Sequence, residues 1–316
     1  MNVTHAMVLC AGLGTRLRPL TDERPKPLVP VRDRPLAAWA MERLAGAGAR
    51  HLVANAHHLA EQIEPALAPW ASRLGASLTV LREAELLGTG GGILNALPAL
   101  GDDFFVFNGD VLAAPDLAAA AAAHRATDAW MTLVLRHDPR AERLGAIEVD
   151  GEGRVRRILG EGAAPDAPVR ACLFTGVYVV SRRVADDLPR AGCVVRHTLR
   201  RLLARGERVS AVVDDGAWHD LGTPESYARA QFSMLRGELQ GFEASPDAQY
   251  RGPDVSIEAG VDVAGPTVLG TGARVRGKGR IQRVIAWPGA EVVAPCSDQI
   301  VTPRSVVHLP TPGEGA

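Results

Sequence analysis

Cysteine is scarce and scattered in this 316-residue chain: Cys10, Cys172, Cys193 and Cys296 include no C-x-x-C pair. That spacing excludes a thiolate metal cage and a disulfide framework, and it suits a reducing cytoplasm. No run of about 18 apolar residues occurs, so no membrane-spanning helix is predicted. The chain opens almost at once on the strand-like "HAMVLC", without a charged and then apolar leader, so no signal peptide is expected. Nor is there an excess of charge of one sign. A net charge of −1 excludes a general nucleic-acid binder, so any phosphate binding has to be local.

What is present is 47% hydrophobic residues, enough for a sizeable core, in a length that suits one large domain with an appendage. The boundaries expected are 1–240 for the large domain and 250–316 for the appendage. Over the first 136 residues strand-like and helix-like segments alternate. Strands are predicted at 5–10, 51–56, 77–83, 103–110 and 129–136, and helices at 35–48, 59–70, 91–100 and 114–126. This order predicts an α/β fold with a doubly wound, mostly parallel, Rossmann-like sheet. Beyond it, 144–149 and 154–160 read as a hairpin around "DGEG". A strand at 172–180, a helix at 196–206, a strand entering a loop at 208–222 and a helix at 223–239 follow.

From Ile257 onwards apolar residues recur every six positions: Ile257, Val263, Leu269, Val275, Ile281, Trp287 and Val293. Four places after them stand Val261, Thr267, Ala273 and Ile285, with Gly279 and Glu291 as weaker members. A six-residue period predicts a parallel β-helix. It resembles the left-handed hexapeptide type, in which three hexads make a coil, so seven hexads predict roughly two coils.

The densest motif is "LCAGLGTRLRPLTDERPKPLVP", residues 9–30. A glycine-rich turn after the first strand of an α/β sheet lets backbone N–H groups approach a phosphate. It is not a dinucleotide fingerprint, because Leu17 stands where the third glycine belongs, and no G-K-[ST] follows to make a P-loop. A nucleoside triphosphate loop with Arg and Lys supplying charge remains, beside the plainer reading of a glycine turn with surface arginines.

Residues 12–27 match throughout the signature G-x-G-T-R-L-x-P-L-T followed by P-K-P, and thereby resemble the nucleoside-diphosphate-sugar pyrophosphorylases, or sugar-1-phosphate nucleotidylyltransferases. "LGTGGGI" (87–93), "FNGD" (107–110), "FTGVYVV" (174–180) and "WHDLGTPESY" (218–227) resemble further family segments, in family order. The resemblance covers residues 3 to about 235. It is nearest to the mannose-1-phosphate guanylyltransferases, some of which carry such a β-helix, and to the N-acetylmuramate-1-phosphate uridylyltransferases.

The resemblance implies attack by a sugar 1-phosphate oxygen on the α-phosphorus of a nucleoside triphosphate, with pyrophosphate leaving. Two anions must meet, so positive charge is needed where charge accumulates. It implies Arg16, Lys26 and Asp110 as catalytic residues. Arg16 would hold the leaving phosphates, and Lys26, between Pro25 and Pro27, would sit between the α-phosphate and the sugar phosphate. Ala11, Gly12, Leu13, Gly14, Thr15 and Arg16, with Glu83, Gly88, Thr89 and Gly90, would bind the nucleotide. Lys26, Asn108, Gly109, Glu161, Thr175 and Gly176 would bind the sugar phosphate. Asp110 and Asp220 would hold Mg²⁺, which takes carboxylate and phosphate oxygens. His219 reads as a neighbour and not a ligand, since Mg²⁺ prefers oxygen.

The sequence departs from the family on the sugar side. Gly162 replaces the lysine of the usual E-K-P segment, and Thr175 replaces an asparagine. "LGTGG" favours GTP with mannose 1-phosphate or a related sugar; UTP with N-acetylmuramate 1-phosphate or another sugar 1-phosphate is the alternative. A homo-oligomer is expected, a dimer being the simplest. Two rival readings differ in class. A β-helix acyltransferase lacks support, since His308 is the only histidine after His219. A non-catalytic subunit that senses an NDP-sugar is opposed by the presence of Arg16, Lys26, Asp110 and Asp220.

Overall fold

The computed structural model describes residues 3–162 and 168–310, the side chains of Arg143 and Leu144 apart. Residues 163–166 of the "LGEGAAPD" stretch lie outside that range. The described chain falls into two compact units that do not follow chain order. The first takes the chain up to Gly12, Ala37–Gly109 and Pro115–Trp218; the second takes Leu13–Leu36, Asp110–Ala114 and the chain from His219 on.

The first unit is built on nine strands: β1 (His5–Leu9), β2 (His51–Ala56), β3 (Ser77–Arg82), β4 (Asp103–Asn108), β5 (Met131–Arg136), β6 (Ile147–Asp150), β7 (Val155–Ile158), β8 (Val169–Ser181) and β9 (Val209–Val213). Across the sheet the order is β3-β2-β1-β4-β8-β5-β9, and β6 and β7 extend it from the start of β8. The pairs β1–β2, β1–β4, β2–β3 and β5–β9 are parallel, whereas β8 runs antiparallel to β4 and β5. The expected doubly wound sheet is therefore present, with one antiparallel strand inserted. The chain leaves β1 towards β2 and β3 and returns on its other side as β4, so the topological switch point lies between β1 and β4. Open α/β sheets bind ligands at the carboxyl ends of the strands there.

Periodicity explains most of these elements. The helix Leu117–Ala126 buries Leu117, Ala120, Ala121 and His124 on one face, and Asp116 caps it by accepting from the Ala119 amide at 2.8 Å. The helix Pro224–Leu235 has Thr223 as its cap, in a capping box with Ser226, and the proline stands at the first position as expected. The core under the sheet gathers Met7, Phe104, Val106, Leu133, Leu135 and Tyr178 with Ile93 and Leu97.

Two helix boundaries differ most, that predicted at 59–70 running Ile63–Arg73 after a 3-10 turn at Ala60–Gln62. The predicted helix at 91–100 starts at Gly88 and ends at Ala96. Its glycines, poor helix formers, are present for packing. A Cβ on Gly91 would lie 2.4 Å from the Arg190 carbonyl oxygen, and one on Gly90 would lie 2.7 Å from the Pro189 ring. Tertiary approach outweighs propensity here.

In the second unit the hexad region is a short parallel β-helix. Three stacked faces are set by the pairs Gln249↔Thr267, Ser256↔Arg274 and Val261↔Gly279. Its strands begin at Gln249, earlier than expected, and the next level adds Arg274↔Glu291 and Ile281↔Cys296, making three levels in place of the predicted two. The hexad phase also fails between Ile281 and Trp287, since Leu269 pairs with Ala286 and not with Trp287. Coils of 18 residues give way to steps of 17 and then 15 (Arg274 to Glu291, Ile281 to Cys296). Shortening by one residue reverses the side-chain faces. Val293 is accordingly 64% exposed, and Val292, at 1%, takes the inward place.

Candidate active site

In the second unit the opening motif folds as two tight turns. Gly14 adopts the left-handed conformation (φ 63°), where a Cβ would lie 2.8 Å from the Thr21 methyl. Its carbonyl accepts from the Leu17 amide and from the Thr21 hydroxyl, both at 2.9 Å. A 3-10 turn, Thr15–Leu17, buries Leu17 and leaves Arg16 70% exposed. A second one, Lys26–Leu28, begins after Pro25, whose carbonyl accepts from the Leu28 amide at 2.7 Å. Pro27 fits in its first turn, where no N–H is required. Both prolines therefore define the backbone that carries Lys26.

The Lys26 side chain is only 7% exposed. Its Nζ donates to Asp110 Oδ2 at 2.9 Å and to Asp220 Oδ1 at 3.2 Å. Burial of an ammonium requires such partners, because an unpaired charge out of water is costly. The two aspartates are about two-fifths exposed, at 41% and 39%, which moderates the strength of the pairs. They meet because Asp110 immediately precedes the short strand Val111–Ala113, which pairs with Trp218–Asp220. The Arg16 guanidinium lies 3.7 Å from Asp220 Oδ2. Gly222 makes room for it, since a Cβ there would be 3.0 Å from both Arg16 and Asp220. No other described His, Cys, Asp or Glu completes a group of three that could hold a metal ion.

Two carboxylates around one ammonium are hard oxygen donors already arranged about a cation, and they fit Mg²⁺ in kind. The charges of Arg16 and Lys26 are balanced by Asp110 and Asp220. The triphosphate and sugar phosphate expected from the sequence would bring negative charge that these side chains leave uncompensated, which a divalent ion would offset.

The first unit holds the residues expected around the base and the sugar. Glu83 is buried and committed to its neighbours. One carboxylate oxygen accepts from Asn55 Nδ2 at 2.7 Å and the other from the Leu87 amide at 3.1 Å. Asn55 Oδ1 in turn accepts from the Cys10 amide at 2.7 Å. Glu83 thus ties the end of β1 to the turn before the Gly88 helix. Gly88 has φ +70°, with the Gly192 carbonyl 2.7 Å from a would-be Cβ, and Thr89 Oγ1 accepts from the Val194 amide at 2.9 Å. Gly90 donates its amide to Gly192 O at 2.8 Å. The glycine segment is therefore shaped by packing on residues 189–194.

On the sugar side, Gly109 lets β4 end hard against β1, its amide donating to the Leu9 carbonyl at 2.9 Å. Gly176 stands over Asn108, where a Cβ would be 2.6 Å from Asn108 Nδ2. Thr175 is buried in the irregularity of β8. Its hydroxyl donates to Val134 O at 2.7 Å and accepts from the Val177 amide at 3.2 Å, so both capacities are engaged by backbone. Trp218 Nε1 donates to the Thr175 carbonyl at 2.7 Å. Glu161 is ion-paired with Arg200. Gly162, with φ +133°, has the Arg156 carbonyl 2.6 Å from a would-be Cβ, so a lysine there would be strained and crowded.

Sequence reasoning missed Asn55, Thr21 and Gly222. Thr21 ends the signature and Gly222 lies within "WHDLGTPESY", but neither carries charge to mark it. Asn55 within an apolar strand, "HLVANA", was the one available signal, because a buried amide needs partners.

The nucleotidyl transferase family profile matches residues 5–236. The chain is 35% identical over 303 residues to a mannose-1-phosphate guanylyltransferase of Mycobacterium tuberculosis, covering 92% of this chain and 82% of that one. It is 27% identical to a UTP–glucose-1-phosphate uridylyltransferase of Synechocystis, covering 98% and 84%. HddC from Yersinia pseudotuberculosis shares the fold, with a TM-score of 0.60 at 24% identity over 72% of this chain and 98% of HddC. The chain therefore belongs to the nucleotidyl transferase family, as a sugar-1-phosphate nucleotidyltransferase.

Proposed function

We propose that the chain transfers GMP from GTP to mannose 1-phosphate. An oxygen of the sugar phosphate forms a bond to the α-phosphorus, the bond from the α-phosphorus to the β-phosphate bridging oxygen breaks, and that oxygen departs with pyrophosphate. The observation that carries the reaction class is Lys26 held between Asp110 and Asp220 at 2.9 and 3.2 Å. The sugar and base are supported by the guanylyltransferase relative at 35% identity. The uridylyltransferase relative supports a second reading, a UTP-dependent enzyme acting on N-acetylmuramate 1-phosphate or another sugar 1-phosphate.

In this reading the backbone of Ala11–Thr15 cradles the triphosphate, and exposed Arg16 takes charge developing on the leaving pyrophosphate. Lys26 meets the attacking phosphate and relieves its repulsion with the α-phosphate. Gly88 and Thr89 serve the base through backbone groups, with Glu83 holding their turn, whereas Gly90, its amide bonded to the Gly192 carbonyl, contributes through packing. Asn108, Gly109 and Gly176 serve the sugar phosphate, whereas Thr175 and Glu161 contribute through structure. Mg²⁺ held by Asp110 and Asp220 would supply Lewis-acid charge at the phosphates. No helix among the described residues is long and apolar enough to cross a membrane. Four scattered cysteines with no C-x-x-C pair suit the cytoplasm, where such a substrate pair would be found. Residues 1–240 would form the catalytic domain and 250–316 the β-helix and tail, which would support a homo-oligomer.

Pyrophosphate release tests the proposal, measured with Mg²⁺ for each of GTP, UTP, dTTP and ATP against mannose, glucose and N-acetylmuramate 1-phosphates. GTP with mannose 1-phosphate should give the highest kcat/KM. Dominance of a UTP pair would move the assignment to the second reading, and silence across the panel would refute an enzyme.

A further inference from the structure

Within the second unit, the backbone on both sides of Lys26 is tied to the β-helix and to the helix that leads into it. On the N-terminal side, Glu23 Oε1 accepts from the hydroxyls of Thr302 and, at 3.0 Å, Ser305. The next residue, Arg24, lies over the Trp287 ring at 5.6 Å. On the C-terminal side, the Pro30 carbonyl accepts from the Tyr227 hydroxyl, which itself accepts from Trp287 Nε1 at 3.0 Å. The Arg32 amide donates to Gln231 Oε1 at 2.7 Å. Asp33 accepts from the Thr271 amide at 2.9 Å, the Thr271 hydroxyl at 2.8 Å and the Tyr250 hydroxyl at 3.0 Å. Gly252 allows this approach, because a Cβ there would be 2.2 Å from Asp33 Oδ2.

These ties are of a kind that fixes position. Tyr227 and Trp287 are buried, so their bonds are made away from competing water. Burial, and then the Asp33 carboxylate beside it, push the Tyr250 hydroxyl up to about 12, so it remains a donor to Asp33. Lys26 is three residues from Glu23 and four from Pro30, a span too short to move far between two anchored ends.

We propose that the C-terminal β-helix is the positioning element for Lys26, with Tyr227, Thr271, Trp287 and Thr302 as positioning residues. They fix the backbone on each side of the lysine, so that its ammonium stands where the sugar phosphate must arrive. The catalytic consequence rests on the proposed transferase activity; the positional one does not.

The chain has only two lysines, Lys26 and Lys278, and Lys278 is exposed on the β-helix. The ratio of their acylation rates by an N-hydroxysuccinimide ester, read by peptide mass spectrometry, reports Lys26 seating with an internal reference. Combining Tyr227→Phe with Thr271→Val removes two hydroxyls and little volume. The Lys26/Lys278 ratio should rise about three- to tenfold, the range expected when such hydrogen bonds no longer hold a site closed. Where the parent turns over, KM for the sugar 1-phosphate should rise by a similar factor while KM for the nucleotide stays within about twofold. Thr271→Ser, which restores the hydroxyl, should return both values towards the parent's. A lower melting temperature with an unchanged acylation ratio would overturn the proposal, as would an equal rise in both KM values. If the parent is silent with every substrate pair, the transferase reading fails and the acylation ratio still decides the positioning.

Discussion

At the scale of single residues, Lys26 carries the most information. It is one of two lysines, almost wholly buried, and bonded to carboxylates 84 and 194 residues away in the chain. Its partners stay partly accessible to solvent, which favours a working cluster over a structural ion pair. Lys26→Ala should lower kcat/KM on the order of a hundredfold, mainly through the sugar 1-phosphate, with equilibrium nucleotide binding changed by no more than a few-fold. Asp110→Asn and Asp220→Asn should lower kcat on the order of a hundredfold or more while the circular-dichroism melt shifts little. An unchanged turnover in Lys26→Ala would remove the lysine from the reaction. Glu83 shows the opposite case. Its carboxylate chemistry is visible in the sequence, but its hydrogen bonds to Asn55 and Leu87 are made by folding, and they give it a structural task.

At the scale of elements, the glycine segment and the β-helix show where local patterns hold and where they fail. Glycines 88–92 resemble a ligand loop when read in sequence, yet they form the first turns of a helix pressed on residues 189–194. Gly91→Ala should lower stability by about 1–3 kcal/mol in urea unfolding, because the Arg190 backbone cannot yield easily to a methyl at 2.4 Å. Gly46→Ala is the comparison: it sits in the helix Leu36–Gly46 with nothing within 4 Å of a new Cβ, and it should be neutral or stabilising by up to about 1 kcal/mol. The six-residue period placed Leu269, Val275 and Ile281 inside correctly, whereas Trp287 is buried outside the coil, against Tyr227 and Arg24, and Ala286 takes the inward place. It failed at Val293 because coil length is set by how each level stacks on the last, and the last coils are shorter. Period alone does not contain that information.

At the scale of the whole molecule, the second unit joins Leu13–Leu36, Asp110–Ala114 and the chain from His219 on. The opening motif and the residues just after it are therefore held by residues more than 200 positions later, such as Thr302 and Ser305 on Glu23 and Tyr250 and Thr271 on Asp33. A chain ended at Gln240 should lose these ties, among them Trp287 on the Tyr227 hydroxyl and Thr302 and Ser305 on Glu23. Its melting temperature should fall on the order of 10 °C below the full chain's, as several kcal/mol of lost packing would require. An unchanged melt would mean that the opening motif holds itself. The sequence by itself determined the alternation of the sheet, the family signature with Arg16, Lys26, Asp110 and Asp220, and the hexad repeat. Those depend on residue chemistry and on short periods, which act over one turn or one strand. Only the tertiary structure decided that two distant aspartates share one ammonium, that Thr175 and Glu83 are already engaged, and that the β-helix grips the turn of Lys26. These are contacts between residues far apart in the chain, and no local preference encodes which of them will meet.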